Sequence, residues 1–159
     1  MIEFKNALTV LAGVKVRFVI VGGLAMSIHG SSSVTYDLDF CYARDPENFS
    51  RLVQALQSYN PRLRGAPVGL PFRFDETTLR NGLNFTLATD LGDIDLLGEV
   101  AGIGGYAEAL KVSLPVELFG VTLDVLTIDA LIVSKRAAGR PKDLMILPEL
   151  EALREAIEE

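Results

Sequence analysis

Two aspartates spaced i and i+2, Asp37 and Asp39, stand in a segment whose other members are apolar: Leu38, Phe40, Cys41 and Tyr42. Thirteen residues separate this pair from a glycine doublet, Gly22-Gly23, which ends the β-branched run of residues 17–21. Strict alternation over residues 35–42 predicts a strand with both aspartates on one face and Leu38 and Phe40 on the other. Carboxylates held side by side repel each other, and the pair is costly unless a cation or a donor compensates. A fold that keeps it must bring a strand, a glycine turn, a short helix and a second strand to one charged spot.

Hydrophobic spacing supplies the elements around that spot. Phe4, Leu8, Leu11 and Ala12 share one side at helical spacing and predict an opening helix over residues 3–14. Residues 24–29 read as a short helix closed by Gly30, followed by a polar loop of three serines. Asp45-Pro46-Glu47 opens a helix with Phe49, Leu52, Val53 and Leu56 inward; a first-turn proline with acids beside it suits the unpaired N–H groups there. The Pro-, Gly- and Arg-rich stretch 60–74 reads as loop. Strands are expected at 83–89 and 93–97 around a tight turn at Asp90-Leu91-Gly92, and at 112–118 and 121–125, with a short helix at 106–110 between them. Helices at 128–138 and 144–157, parted by Gly139-Arg140-Pro141, close the chain. This order predicts one α+β (α/β-like) domain over residues 1–159. A mixed sheet flanked by helices forms its core at about 8–126, and a helical segment follows at about 127–158.

Composition narrows the function classes. With 49% apolar residues, eight Phe and four Tyr, a chain of 159 residues buries a sufficient core without disulfides or structural zinc. The single cysteine, Cys41, excludes an internal disulfide and a multi-cysteine metal cluster, and it fits a reducing cytosol. The N-terminus lacks the basic-then-apolar order of a signal peptide. The longest apolar run, 18–26, holds two glycines and falls short of the roughly 20 residues that span a bilayer. These features predict a cytoplasmic protein with no membrane partner. A net charge of −6 leaves no global basic face, so a nucleic acid would be held locally or through metal-bridged phosphates. Glu149, Glu151, Glu155, Glu158 and Glu159 read as a solvated helix face.

The chemistry suited to these residues is that of phosphates and hard metal ions. A glycine turn entering a helix grips a triphosphate through backbone N–H groups, with no side chain in the way. Carboxylates at i and i+2, roughly 6–7 Å apart along a strand, suit Mg²⁺ or Mn²⁺ ions spaced about 3.5–4 Å apart. A third carboxylate from a neighbouring strand completes such a cage. Asp95, flanked by Ile94 and Leu96, is the leading candidate, and Asp93 shares its face, so the choice between them stays open.

The segment FVIVGGLAMSIHGSSSVTYDLDF, residues 18–40, resembles the first motif of the nucleotidyltransferase superfamily, and GDIDLL at 92–97 resembles the segment carrying that superfamily's third acid. LTIDALIVSKRAAGRPKDLMILPEL, residues 126–150, is similar to the closing helices of the AbiEii-type toxin branch. The resemblance implies a Mg²⁺-dependent transfer of an NMP group from an NTP to a hydroxyl of RNA, a protein or a small molecule. It would fit a toxin-type stress protein with tRNA or a protein as acceptor and an antitoxin-type partner. It implies that Gly22 and Gly23 bind the triphosphate and that Asp37 and Asp39 hold the metal. Asp95 would activate the acceptor, and Lys135 would face the nucleotide or acceptor with Arg140, Lys142 and Asp143 nearby. A non-catalytic binding module on the same fold is the alternative.

One position departs from the branch. Its relatives often carry Arg-x-Thr-x-Asp-x-Asp, and Ser33 stands where that arginine would be. Loss of the cation would weaken nucleotide binding unless another arginine, such as Arg44, Arg73 or Arg80, supplies it. Asp143 also reads as an N-terminal cap of the last helix, His29 as a packing or capping residue beside Gly30, and Cys41 as a small buried hydrophobe on the aspartates' side.

Overall fold

A computed structural model describes residues 2–67 and 69–158. The element order is α1 (Phe4–Gly13), β1 (Phe18–Val21), α2 (Gly22–Ile28), β2 (Asp37–Tyr42), α3 (Pro46–Leu56), β3 (Arg62–Leu63), α4 (Glu76–Asn81), β4 (Phe85–Thr89), β5 (Gly92–Leu97), α5 (Tyr106–Lys111), β6 (Ser113–Leu118), β7 (Val121–Leu126), α6 (Ile128–Ala138) and α7 (Pro141–Glu158). The strands form one mixed sheet in the order β3-β4-β5-β2-β1-β7-β6. The pairs β1–β7 and β2–β5 are parallel and the other neighbours antiparallel.

The alternation that sets β2 also sets the two sides of this sheet. Leu38, Phe40, Leu87, Ile94 and Leu96 are fully buried on the back, in one core with Leu8 and Leu11 of α1 and Leu52 and Leu56 of α3. Phe18 packs on Phe40 with ring centroids 5.0 Å apart, and Tyr42 on Phe49 at 6.4 Å. The front side of β2 and β5 carries the acids instead. Local chemistry places the helices. Asp45 caps α3 by accepting the Asn48 N–H at 3.0 Å, with Pro46 in the first turn. Thr127 caps α6, and Gly139 ends it in a left-handed conformation.

Two helix starts and two further elements depart from the expectation, besides shifts of one or two residues at other ends such as those of β2 and β4. α2 starts at Gly22 itself rather than at residue 24, and α7 starts at Pro141 rather than at residue 144. The stretch read as loop contains the two-residue β3. No hydrophobic period marks α4, because only Leu79 of its six residues is buried; the Asp75 carboxylate caps it by accepting the Thr78 N–H at 2.8 Å.

The sheet's margins are modest. β6 carries Pro115, opposite Asp124, and joins β7 through a tight turn in which Phe119 and Gly120 both have positive φ, 54° and 80°. No helix among the described residues is long and apolar enough to cross a membrane.

Candidate functional site

Strand register assembles the acids. Asp37 lies opposite Asp93 and Asp39 opposite Asp95 across the parallel β2–β5 pair. β4 continues both rows, with Ala88 opposite Asp93 and Thr86 opposite Asp95. β3 puts Arg62 opposite Ala88, and the Arg64 backbone N–H donates to the Thr86 carbonyl at 2.9 Å. Two rows of residues therefore cross the front of the sheet, each with an arginine at its outer end and aspartates at its inner end.

Asp37, Asp39 and Asp95 each present an oxygen within 4.8 Å of the others. Burial and the neighbouring charges of Asp95 and Asp37 push the Asp39 carboxyl up to about 7; a hydrogen bond with Asp95 adds to the rise, and Lys135 opposes it. Burial and then Asp95 raise Asp37 as well; Arg64 and Lys142 pull it back and Asp93 adds to the rise. Asp39 Oδ1 is buried with no hydrogen-bond partner. A buried carboxylate oxygen left unpaired among other carboxylates calls for a proton or a cation.

The glycines permit this crowding. Val21 pairs with Asp39, so the next residue turns directly over the Asp39 side chain. Gly22 has φ +64°, and a Cβ there would sit 2.2 Å from Asp39 Oδ2. A Cβ on Gly23 would sit 2.5 Å from Thr35 Oγ1. A side chain at either position would force Asp39 or Thr35 to move, and Gly22 also needs the left-handed backbone region.

The C-terminal helices bring the basic groups. Lys135 Nζ lies 3.3 Å from Asp143 Oδ1, and Arg140 donates to the same carboxylate through Nε at 2.6 Å and Nη2 at 3.1 Å. The Arg140 backbone N–H adds a bond of 3.1 Å from just before α7, so Asp143 serves the helix start as well as the two cations. With 1% of its side chain exposed, Asp143 is held down to about 2, first by Arg140 and then by Lys135. A cavity of about 300 Å³ lies between these groups and the acids, lined by Gly22, Asp39, Lys135 and Arg140 with Val100 and Leu131. Lys142 bears on Asp37 by charge alone.

The structure gives the remaining candidates these surroundings. Ser33 is exposed, its N–H donating to Ser31 Oγ at 3.2 Å. His29 Nε2 lies 2.7 Å from the Leu126 carbonyl and ties the end of α2 to the end of β7. Cys41 is buried, and desolvation pushes its thiol up to about 12, which leaves it inert. Arg44 stacks on Tyr42 and Phe49 and donates to the Leu79 and Arg80 carbonyls, behind the sheet. Arg73 lines a separate depression with Gln57 and Asn60. The arginine that reaches the acids is Arg64, absent from the sequence reading: its guanidinium bonds Asp95 and lies 3.5 Å from Asp93 Oδ2. It falls in a segment read as loop, where only the alternation of Arg62 and Arg64 hinted at a strand.

No family model matches the chain, and no curated protein matches it at a significant level. Solved structures do. The lincosamide antibiotic adenylyltransferase LnuA, in its lincomycin-bound form, superposes with a TM-score of 0.61 at 13% identity, covering 96% of this chain and 98% of that one. A nucleotidyltransferase candidate from Thermotoga maritima superposes with a TM-score of 0.52 at 17% identity, covering 99% and 96%. The chain has the nucleotidyltransferase fold: an α/β domain built on a seven-stranded mixed sheet.

Proposed function

We propose that this protein is a divalent-metal-dependent nucleotidyltransferase that moves an NMP group from an NTP to a hydroxyl. The observation that carries the reading is the unpartnered Asp39 Oδ1, buried among three carboxylates under a glycine that admits no side chain. That donor set fits a hard cation, Mg²⁺ or Mn²⁺, with Asp37, Asp39 and Asp95 as its holders. When bound, the ion polarises the phosphoryl oxygens and offsets the charge that builds on them.

The chain's own residues do the rest. Gly22 and Gly23 let the triphosphate approach the backbone at the start of α2. Lys135 and Arg140, braced by Asp143, and Lys142 near Asp37, neutralise its charge. Asp95 accepts the proton of the attacking hydroxyl as the new oxygen–phosphorus bond forms and pyrophosphate leaves. LnuA is an adenylyltransferase of a small-molecule antibiotic, which supports the same class of transfer here. The likeness to the AbiEii branch extends the reading to a toxin-type role with an antitoxin-type partner and a tRNA or protein acceptor. Growth arrest on expression, relieved by Asp39→Ala, would test that extension.

A second reading rests on Arg64. Its guanidinium already supplies a cation to Asp95, as in a binding module that needs no metal. Thermal melts with each of the four NTPs, with and without Mg²⁺, separate the two. An upward shift that requires both Mg²⁺ and the aspartates, lost in Asp37→Ala/Asp39→Ala, supports the transferase. A shift by NTP alone supports the module.

A further inference from the structure

A second cavity, of about 490 Å³, opens between β3, β4 and residues 64–67 and 69–72. Leu63, Pro67, Leu70, Phe72 and Ala88 make its lining apolar, and among the described residues its only charged side chains are Arg62 and Arg64. Arg64 belongs to two places at once, lining this cavity while bonding Asp95. Strand order then fixes the arrangement. The first cavity borders β1, β2, β5, β7 and α6 and has Asp39 in its wall, while the second borders β3 and β4 and reaches Asp95 and Asp93 through Arg64.

Displacement at phosphorus places the entering oxygen and the leaving group on opposite sides of the atom transferred. A triphosphate held by Gly22, Lys135 and Arg140 leaves the Arg64 side for the hydroxyl. We propose that the cavity lined by Arg64, Leu63 and Phe72 is the acceptor subsite, and that its ligand is a small hydroxylated molecule with an apolar body and an anionic group. This assignment rests on the nucleotidyl-transfer reading above.

Size and charge define the ligand class. The volume falls within the roughly 300–1,000 Å³ of small-molecule sites. The apolar lining favours a hydrocarbon or aromatic body over a ribose-phosphate chain, and the acidic chain as a whole offers RNA no basic track. An anion seated beside Arg64 competes with Asp95 for the guanidinium. Drawn off, Arg64 leaves the Asp95 carboxylate without its guanidinium partner, so occupancy of the subsite rearranges the site it serves. In the transfer the acceptor oxygen bonds the α-phosphorus, the bond to pyrophosphate breaks, and the proton passes to Asp95.

The test uses 8-anilinonaphthalene-1-sulfonate, an apolar anion, titrated into the full chain beside two variants. Ala66→Trp fills the cavity from its rim, and Leu70→Glu puts a negative charge on an exposed lining position where folding is not at stake. The expected result is one saturable site, weakened about tenfold or more in both variants, while the Mg²⁺-dependent thermal shift by NTP persists in them. Non-saturable binding, or equal affinity in wild type and both variants, overturns the subsite and leaves the transferase standing. Probe binding as expected but no NTP shift in the wild type overturns the transferase, and the acceptor role with it. Transfer of α-labelled NMP to a tRNA pool, with none to 4-hydroxyphenylacetate or 12-hydroxydodecanoate, overturns the ligand class.

Discussion

The Arg64 guanidinium reaches over the row of Thr86 to bond Asp95, joining residues 31 positions apart in the chain. An internal cation thus stands where an acid triad would otherwise face itself. Arg64→Gln should lower the melting stability of the metal-free protein by about 1–3 kcal/mol, the usual range for a lost charged hydrogen bond. Mg²⁺ should restore more of that loss in the variant than it adds to the wild type, because the ion no longer competes with the guanidinium. Calorimetry with and without Mg²⁺ reads both; equal Mg²⁺ responses would show that Arg64 and the ion do not share the acids.

The raised Asp39 carboxyl makes stability depend on pH. In the folded state it titrates near 7, against the ordinary value near 4 in the unfolded chain. Between those values the folded protein holds the extra proton, so stability falls as pH rises through that window and levels off above it. Asp143, held down to about 2, acts oppositely and below the window, losing its contribution as pH falls through that value. Melting temperatures from pH 4.5 to 8 in EDTA should decline, and Asp39→Asn should flatten the decline. A wild-type profile that rises over this range contradicts the assignment.

Gly22→Ala should cripple both stability and activity. The left-handed backbone alone costs a side-chain-bearing residue about 1–2 kcal/mol, and the new methyl would meet Asp39 Oδ2 at 2.2 Å. Denaturant unfolding should show a loss larger than the backbone cost, with the Mg²⁺-dependent NTP shift gone even where the variant remains folded. Retention of that shift would mean the Asp39 carboxylate can be displaced without consequence.

Phe119→Asn should stabilise. Phe119 occupies a left-handed position in the β6–β7 turn with half its surface exposed, and asparagine tolerates that conformation far better. A gain of about 1 kcal/mol, or about 2–4 °C in a domain of this size, is expected with activity unchanged. A fall in melting temperature would mean that the exposed ring packs more than the backbone resists.

The expectation of a mixed sheet with flanking helices rested on periods that survive into the structure: the alternation through Asp37–Tyr42, the helical spacing of Phe49, Leu52 and Leu56, and the hairpin into β7. The acids could be suspected because carboxylates in an apolar strand demand a partner, and the register sets Asp95 rather than Asp93 opposite Asp39. Arg64 could not be found that way. It lies just beyond a two-residue strand whose pairing is set by β4 rather than by any local pattern, and an arginine before a glycine looks the same in a loop. The Asp143 clamp was half legible: its place in the first turn of α7 marks a helix start, but its hold on Lys135 depends on how α6 and α7 fold together.

The ends of the sheet carry a consequence for how the molecule meets others. β3 is only two residues long, and Pro115 takes a donor out of the outer row of β6. Among the described residues, β3 is short and β6 is interrupted at Pro115 as a template for a foreign strand. Self-association into extended sheets is discouraged at both margins, and strand addition is a poor route for any binding protein. Recognition is left to side chains, on the same side of the sheet where the aspartates wait.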